Sequence, residues 1–482
     1  MTRDAHSLKD DTRAVLDHAV RCASVTRAVA VARGAIAQLP RLVATVEAPR
    51  ACLIVADHAT LQAAGHAAIA ALRGAGIAVP EPIVLEGAPR VKARLEHARD
   101  LAARFSRADA LPIAVGAGVI SDITKCAAGI AGIPYASVAT AASMDGYAAS
   151  GAAMLEDGFK RTFACPPPIA VVADLDVIAR APARMASWGY GDTAGKIVAG
   201  ADWILADAAG EDPIDSAAFA LVQDHVRNWL GAPARVAAHD ADALRAMVEG
   251  LLVSGFAMQA HGDSRPASGS EHQLSHLWEM DRIEVDGEPA AHGACVGVGT
   301  VAMLALYEWL FGQDVSATAR DPRPAVRDPR SIEAEVARAF DDPRLVASAR
   351  SETLAKVARD LHRDARVRAL AAEWPALKAR LAGAIVPAAT MEAWLAAAGA
   401  AAHPADLGLS LARLQRDYRR ARLIRRRYTI LDVLEDFGWL DRAIDAVFAP
   451  GGFWSRRARP PLLRPLRSSL RFALPCSRAA RR

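Results

Sequence analysis

Cysteine is scarce in this sequence and forms no pattern. Cys22, Cys52, Cys126, Cys165, Cys295 and Cys476 stand singly, with no CxxC pair and no metal-cluster spacing. This argues against a disulfide scaffold or a thiolate metal site and suits a reducing compartment. No stretch is as long and uninterrupted in apolar residues as a membrane-spanning helix requires. The N-terminus, MTRDAHSLKDD, has no apolar signal core. A cytoplasmic protein without an integral membrane segment is therefore expected. Lysine is also rare, with only Lys9, Lys92, Lys125, Lys160, Lys196, Lys356 and Lys378. Net charge is small, +4 overall, and its surplus sits in C-terminal arginines, in RRARLIRRRY and RPLRSSLRFALPCSRAARR. The body before residue 410 is near neutral or acidic, so no nucleic-acid partner is expected. No internal repeat is visible.

At 482 residues the chain is too long for one simple core, and its many alanines favour helix. The first third alternates apolar strand runs with helical patterns. AVAVARGAI, ACLIVADHAT, GIAVPEPIVLEG, LPIAVGAGV, IPYASVAT and PIAVVADLDVIARAP each contain a predicted strand. Such alternation implies a parallel sheet covered on both faces, with ligands at the carboxyl ends of the strands. After Pro182 helical periodicity dominates. The predicted organisation is an α/β domain over 1–180, an all-α domain over 181–450, and a basic tail over 451–482 with little fixed structure. Removing the residues after 450 is expected to leave the body's activity intact.

Several residues stand where chemistry is feasible. In VGAGVISD, a strand runs through Gly116-Ala117-Gly118 into a helix, a turn that lets a phosphate approach backbone N–H groups. It is not the full GxGxxG fingerprint, and a plain turn would look the same. Asp57 ends a strand, where a carboxylate can hold ribose hydroxyls or simply cap the next helix. ATAASMDGYAAS is a loop of small and hydroxyl residues. Asp192, in WGYGDTAGK, reads as the head of a helix, either a metal ligand or an N-cap. In GSEHQLSH, His272 and His276 share one helix face if the segment is helical. His292-Gly293 follows, after the polar EMDRIEVDGEPA. A carboxylate with two or three histidines suits zinc, iron or nickel, although HxxxH alone also describes surface histidines. The HExxH protease pattern is absent, and Glu271 is expected to point elsewhere on the helix.

Taken in order, the glycine turn, TAASMDGYAA, DGFKRT, VADLDVIARAPARM, GYGDTAGK, GSEHQLSH, HG and RRRYTILDVLEDFGWL resemble one family. They are similar to the sn-glycerol-1-phosphate dehydrogenases of the glycerol dehydrogenase and iron-containing alcohol dehydrogenase superfamily, from about residue 25 to about 445. The resemblance implies a Rossmann-like α/β domain followed by a helical domain, the dehydroquinate synthase-like fold. It implies that Asp192, His272 and His292 hold a divalent metal, zinc or nickel, or iron. It implies catalytic roles for Asp145, His276 and Asp192, with His276 facing the substrate. The cofactor NAD or NADP would lie on Gly116, Gly118, Val119, Ser121 and Asp122, and on Thr140, Ala141, Ala142 and Ser143. Asp57 would stand near the adenosine ribose. The chain departs from the family at Ala117, where a third glycine is common, and at Ala139, where proline is usual. It departs again at Ala149, where a cofactor-contacting serine is common.

The implied reaction is reduction of dihydroxyacetone phosphate to sn-glycerol 1-phosphate, by a homo-oligomer acting on a small molecule. Lys160 and Arg161 are the expected phosphate cations, ahead of Arg184 and Lys196. A polyol dehydrogenase, or a lyase of the dehydroquinate synthase kind, is the alternative on the same fold. The scarcity of lysine disfavours the lyase, which needs a dense cationic lining.

Overall fold

The computed structural model describes residues 5–47, 49, 51–87, 90–156, 159–318, 328–360 and 362–457. The strands are β1 (Ala28–Ala32), β2 (Cys52–Asp57), β3 (Ile83–Leu85), β4 (Leu111–Gly116), β5 (Ala136–Ala139), β6 (Ala152–Glu156), β7 (Phe159–Phe163) and β8 (Ala170–Asp174). Six of them form one sheet in the order β1-β8-β5-β4-β2-β3, and every pairing in it is parallel. They read as apolar runs because both faces are covered. Ile54 and Ala56 pack with Leu39, Leu42 and Leu72 on one side, while Leu53 and Val55 pack with Leu95, Leu101 and Phe105 on the other. This is the parallel sheet expected from the sequence. From β2 the chain steps outward to β3, and from β4 it steps the other way to β5. The strand order therefore reverses between β2 and β4, which opens a crevice at their carboxyl ends.

The helices that position the site are α1 (Ala5–Cys22), α2 (Gly118–Ala131), α3 (Ala183–Ala208), α4 (Ala241–His261), α5 (Ser270–Met280) and α6 (His292–Phe311). Among the described residues from α3 onward, the regular structure is helical apart from one ribbon, Glu284–Val285 with Glu288–Pro289. Helix α6 has the length and apolarity of a membrane span, yet 83% of its apolar window is buried inside the protein, as befits a core helix. It crosses α3 at glycines. A Cβ at Gly191 would lie 2.2 Å from the carbonyl oxygen of Gly293, and one at Gly293 would lie 1.9 Å from that of Trp188.

Three features go beyond the sequence reading. Leu16 and Ala19 of helix α1 share a core with residues of α3, α4 and α6 and with Val171 and Ala173 of β8. The strands β6 and β7 form an antiparallel hairpin that the sequence reading did not assign. The ordered body passes the expected boundary at 450, since Phe453 and Trp454 are buried apolar residues in that same core. A cut after 450 would strip them from it. The remainder of the expected tail, from 458, lies outside the described residues.

The glycine crossing yields a direct prediction. Gly293→Ala forces backbone apart between α3 and α6 and is expected to lower unfolding stability by about 1–3 kcal/mol. A urea titration reads this, and a midpoint equal to that of the unaltered chain would contradict the close crossing.

Candidate metal and substrate site

Helix α5 starts without a side-chain cap of its own. The Ser270 N–H donates to Asp202 Oδ2 at 2.6 Å, and the Gly269 N–H donates to Glu271 Oε1 at 2.7 Å. Further along, the Trp278 indole donates to Asp417 at 2.9 Å. So anchored, α5 carries His272 and His276 on one side, and His292 arrives from the first turn of α6. The three imidazoles cluster with ring centroids 5.1 to 5.9 Å apart. Each outer histidine nitrogen meets a buried carboxylate. His272 Nδ1 lies 2.6 Å from Glu271 Oε1, and His292 Nδ1 lies 2.8 Å from Glu279 Oε1. An imidazole held at Nδ1 keeps Nε2 as its ligand nitrogen, which is how carboxylates orient metal-binding histidines. The sequence reading missed both carboxylates: Glu279 altogether, and Glu271 by sending it elsewhere on the helix.

Asp192 lies mid-way along α3, not at its head as expected. The glycines before it do not end the helix; they admit the close approach of Ala142 at Gly189 and of Gly293 at Gly191. Asp192 Oδ1 is 3.8 Å from His272 Nε2. One ligand atom each from Asp192, His272 and His292 falls within 4.8 Å of the others. With metal–ligand bonds of about 2.0–2.2 Å, donors around one ion stand up to about 4.4 Å apart. The donor chemistry and spacing of these residues therefore fit a divalent transition metal after small adjustment. His276, Glu279 and His292 form a second such group around the shared His292.

The loop after β5 reaches this cluster because α3 and α4 make room for it. A Cβ at Gly255 would come within 2.7 Å of Ala148 Cβ. Asp145 in that loop donates its N–H to Asp192 Oδ2 at 2.8 Å. The Lys196 ammonium sits between the two side chains, 2.6 Å from Asp145 Oδ2 and 2.7 Å from Asp192 Oδ1. Burial would raise the Asp192 carboxyl, but Lys196, His292 and the Asp145 amide outweigh it and hold it below the usual range. Burial and the charge of Asp192 push Asp145 upward. Burial opposes the charge on Lys196, yet its two carboxylates more than compensate and raise its pKa. Burial, with Lys196, drives His272 far down, and burial lowers His276 to about 4. Both rings are thus neutral at pH 7, the form that binds a metal. Burial, then Asp202, raises Glu271 to about 8.

The candidate dinucleotide residues gather at the carboxyl ends of β2, β4 and β5. Gly116 closes β4, where a Cβ would collide with Ile120 at 2.5 Å, and Gly118 opens α2. Val119 is among the exposed large apolar residues, while Ser121 is buried. Asp122 approaches Lys125 Nζ at 3.8 Å. Thr140, Ala141, Ala142 and Ser143 follow β5, with the Thr140 N–H donating to Gly116 O at 3.2 Å and Ser143 Oγ 2.9 Å from the Tyr147 hydroxyl. Asp57 caps the helical turn after β2, its Oδ1 accepting from the Thr60 N–H at 2.7 Å. Ala149 lies in a small apolar cluster with Met258 and Ala267.

Arg161 and Arg184, two of the expected phosphate cations, have other partners. Arg161 pairs with Glu156 at 2.7 Å on the exposed hairpin, and Arg184 stands over Trp188. Lys196 is held by its two aspartates, and the Lys160 side chain lies outside the described residues.

Residues 30–182 match the iron-containing alcohol dehydrogenase family. The chain is 39% identical over 196 residues to the glycerol-1-phosphate dehydrogenase [NAD(P)+] of Halalkalibacterium halodurans, covering 41% of this chain and 49% of that one. It is 38% identical over 195 residues to the protein of that name from Pyrococcus furiosus, covering 40% and 55%. The chain thus matches about half the length of these curated relatives. Among solved structures, the glycerol dehydrogenase of Schizosaccharomyces pombe aligns with a TM-score of 0.57 at 15% identity, over 87% of this chain and 90% of that one. A probable glycerol dehydrogenase from Sinorhizobium meliloti 1021 aligns with a TM-score of 0.56 at 17% identity, over 88% and 98%. The resemblance visible in the motifs therefore extends to the architecture: this chain has the fold of the glycerol dehydrogenases, and residues 30–182 match the iron-containing alcohol dehydrogenase family.

Proposed function

We propose that this chain catalyses the reversible, NAD(P)H-linked reduction of dihydroxyacetone phosphate to sn-glycerol 1-phosphate. Asp192, His272 and His292 hold one divalent ion, zinc, nickel or iron. The observation that carries the reading is their convergence, with each metal-facing histidine backed by its own buried carboxylate. The name carried by the curated relatives supports the substrate. When bound, the ion supplies Lewis acidity to the ketone and the reduced dinucleotide supplies the hydride.

The chain's own groups do the rest. The turn from Gly116 to Asp122 and the segment Thr140–Ser143 hold the dinucleotide at the reversal between β2 and β4. Asp57 at that crevice favours NAD over NADP, since a carboxylate beside the ribose hydrogen-bonds its hydroxyls and repels a phosphate. Asp145, anchored through Lys196, orients the substrate beside Asp192. His276 is a neutral imidazole whose Nδ1 lies 3.1 Å from Glu279 Oε2, so a proton can pass along this pair to the developing hydroxyl. The carbonyl carbon gains the hydride, the oxygen gains the proton, and the product is the secondary alcohol.

A nicotinamide absorbance assay on metal-reconstituted protein tests this. Dihydroxyacetone phosphate, dihydroxyacetone and glyceraldehyde 3-phosphate are each offered with NADH and NADPH. Oxidation is expected with dihydroxyacetone phosphate, and loss of essentially all turnover in His272→Ala. Activity on dihydroxyacetone but not its phosphate would replace the reading with a polyol dehydrogenase, and none on any substrate would favour the lyase. A second prediction concerns the supporting carboxylates. Glu279→Gln is expected to weaken zinc binding about 10- to 100-fold, measured by competition with a chromogenic chelator. Unchanged affinity would remove Glu279 from the site.

A further inference from the structure

Three consecutive arginines follow the helix Leu411–Leu423, and they are not equivalent. Arg426 pairs with Glu352 at 2.8 Å and Arg427 with Asp263 at 2.6 Å. Other buried arginines also have acids: Arg366 with Asp436 at 2.8 Å, and Arg420 with Asp281 at 2.6 Å. Arg425 has none. Its hydrogen bonds are to neutral hydroxyls, from Nη1 to Ser268 Oγ at 3.1 Å and from Nη2 to Ser264 Oγ at 3.2 Å. Charge-assisted bonds are shorter, about 2.7–2.9 Å, so both contacts are weak for a guanidinium.

Its position gives this isolation a meaning. Ser268 stands four residues before His272, in the segment that leads into α5. Arg427, two residues on, donates from Nη1 to Ser268 O at 2.5 Å, so the segment that carries Arg425 is fastened to the entry of α5, the helix of His272 and His276. Burial, reinforced by Arg427 and opposed by Asp263, Glu352 and Glu271, lowers the pKa of Arg425 to about 10, so it remains a cation at pH 7. A half-buried guanidinium that no carboxylate contacts directly is further stabilised when an anion completes its hydrogen bonds. Its planar donors match the oxygens of a phosphate monoester.

We propose that Arg425, with the Ser264 and Ser268 hydroxyls, binds the phosphate of the substrate and sets the preference for a phosphorylated ketone over a free one. The inference rests on the reductase reading above and assigns the role that Lys160 and Arg161 were expected to fill.

The test compares kcat and KM for dihydroxyacetone phosphate and dihydroxyacetone in the metal-loaded full chain, in Arg425→Gln, in Arg425→Lys and in the surface control Arg426→Gln. A hydrogen-bonded charge contributes about 1.5–3 kcal/mol, so Arg425→Gln is expected to lower kcat/KM for the phosphate about 10- to 100-fold, chiefly through KM. Turnover of dihydroxyacetone should be unchanged, Arg425→Lys should recover part of the loss, and Arg426→Gln should match the unaltered chain. Equal losses on both substrates, or no loss on either, would overturn the assignment while leaving the reductase reading in place. If the unaltered chain reduces neither ketone, the reductase reading fails separately. Calorimetric titration with inorganic phosphate then decides the site. Binding that is lost in Arg425→Gln upholds an anion site, and equal binding in both, or none in either, removes it.

Discussion

Asp145 and Asp192 face one another in the interior because the Lys196 ammonium lies between them. One carboxylate comes from the loop after β5 and the other from α3, so this triad fastens the sheet half to the helical half at the point where chemistry is proposed. Two like charges about 4 Å apart repel by about 4 kcal/mol at an effective dielectric near 20, and burial adds to that cost. The ammonium offsets both terms. It keeps Asp192 ionised, the only form in which a carboxylate is a good metal ligand.

Around that triad the histidines are set by two kinds of constraint. Glycines at 191 and 293 let α3 and α6 approach until Asp192 and His292 share a space. Buried carboxylates at 271 and 279 then fix which imidazole nitrogen faces it. Packing sets the position and hydrogen bonding sets the orientation. Neither alone would give three donors directed at one point.

The fold was legible where burial leaves a simple trace. The sheet strands, covered on both faces, appear as short apolar runs, and the change to helical periodicity after Pro182 marks the second half. His272 and His276 were readable as one face of a helix, and the resemblance singled out Asp192 and His292. The hairpin β6–β7 was also within reach, since Asp157-Gly158 between AAMLE and FKRTF is a strong hairpin signal. Glu279 was not readable. Its partner His292 lies 13 residues away, beyond a ribbon whose path the sequence does not fix. Arg425 was hidden among adjacent arginines, because only tertiary structure distinguishes the one whose guanidinium bonds to serine hydroxyls.

Helix α1 has a consequence for biosynthesis. Its apolar residues Leu16 and Ala19 belong to the helical core, and the segment just after it is tied to α4, where the Val25 N–H donates to Gln259 across 234 residues. At about 5–20 residues per second, roughly ten to fifty seconds separate the emergence of these partners from the ribosome. During that interval α1 has no native surface to cover it, while the sheet strands that follow can already pair. The nascent chain therefore carries this helix uncovered through the translation of the 234 residues that separate the two partners. Chaperones that bind such helices have that interval in which to act.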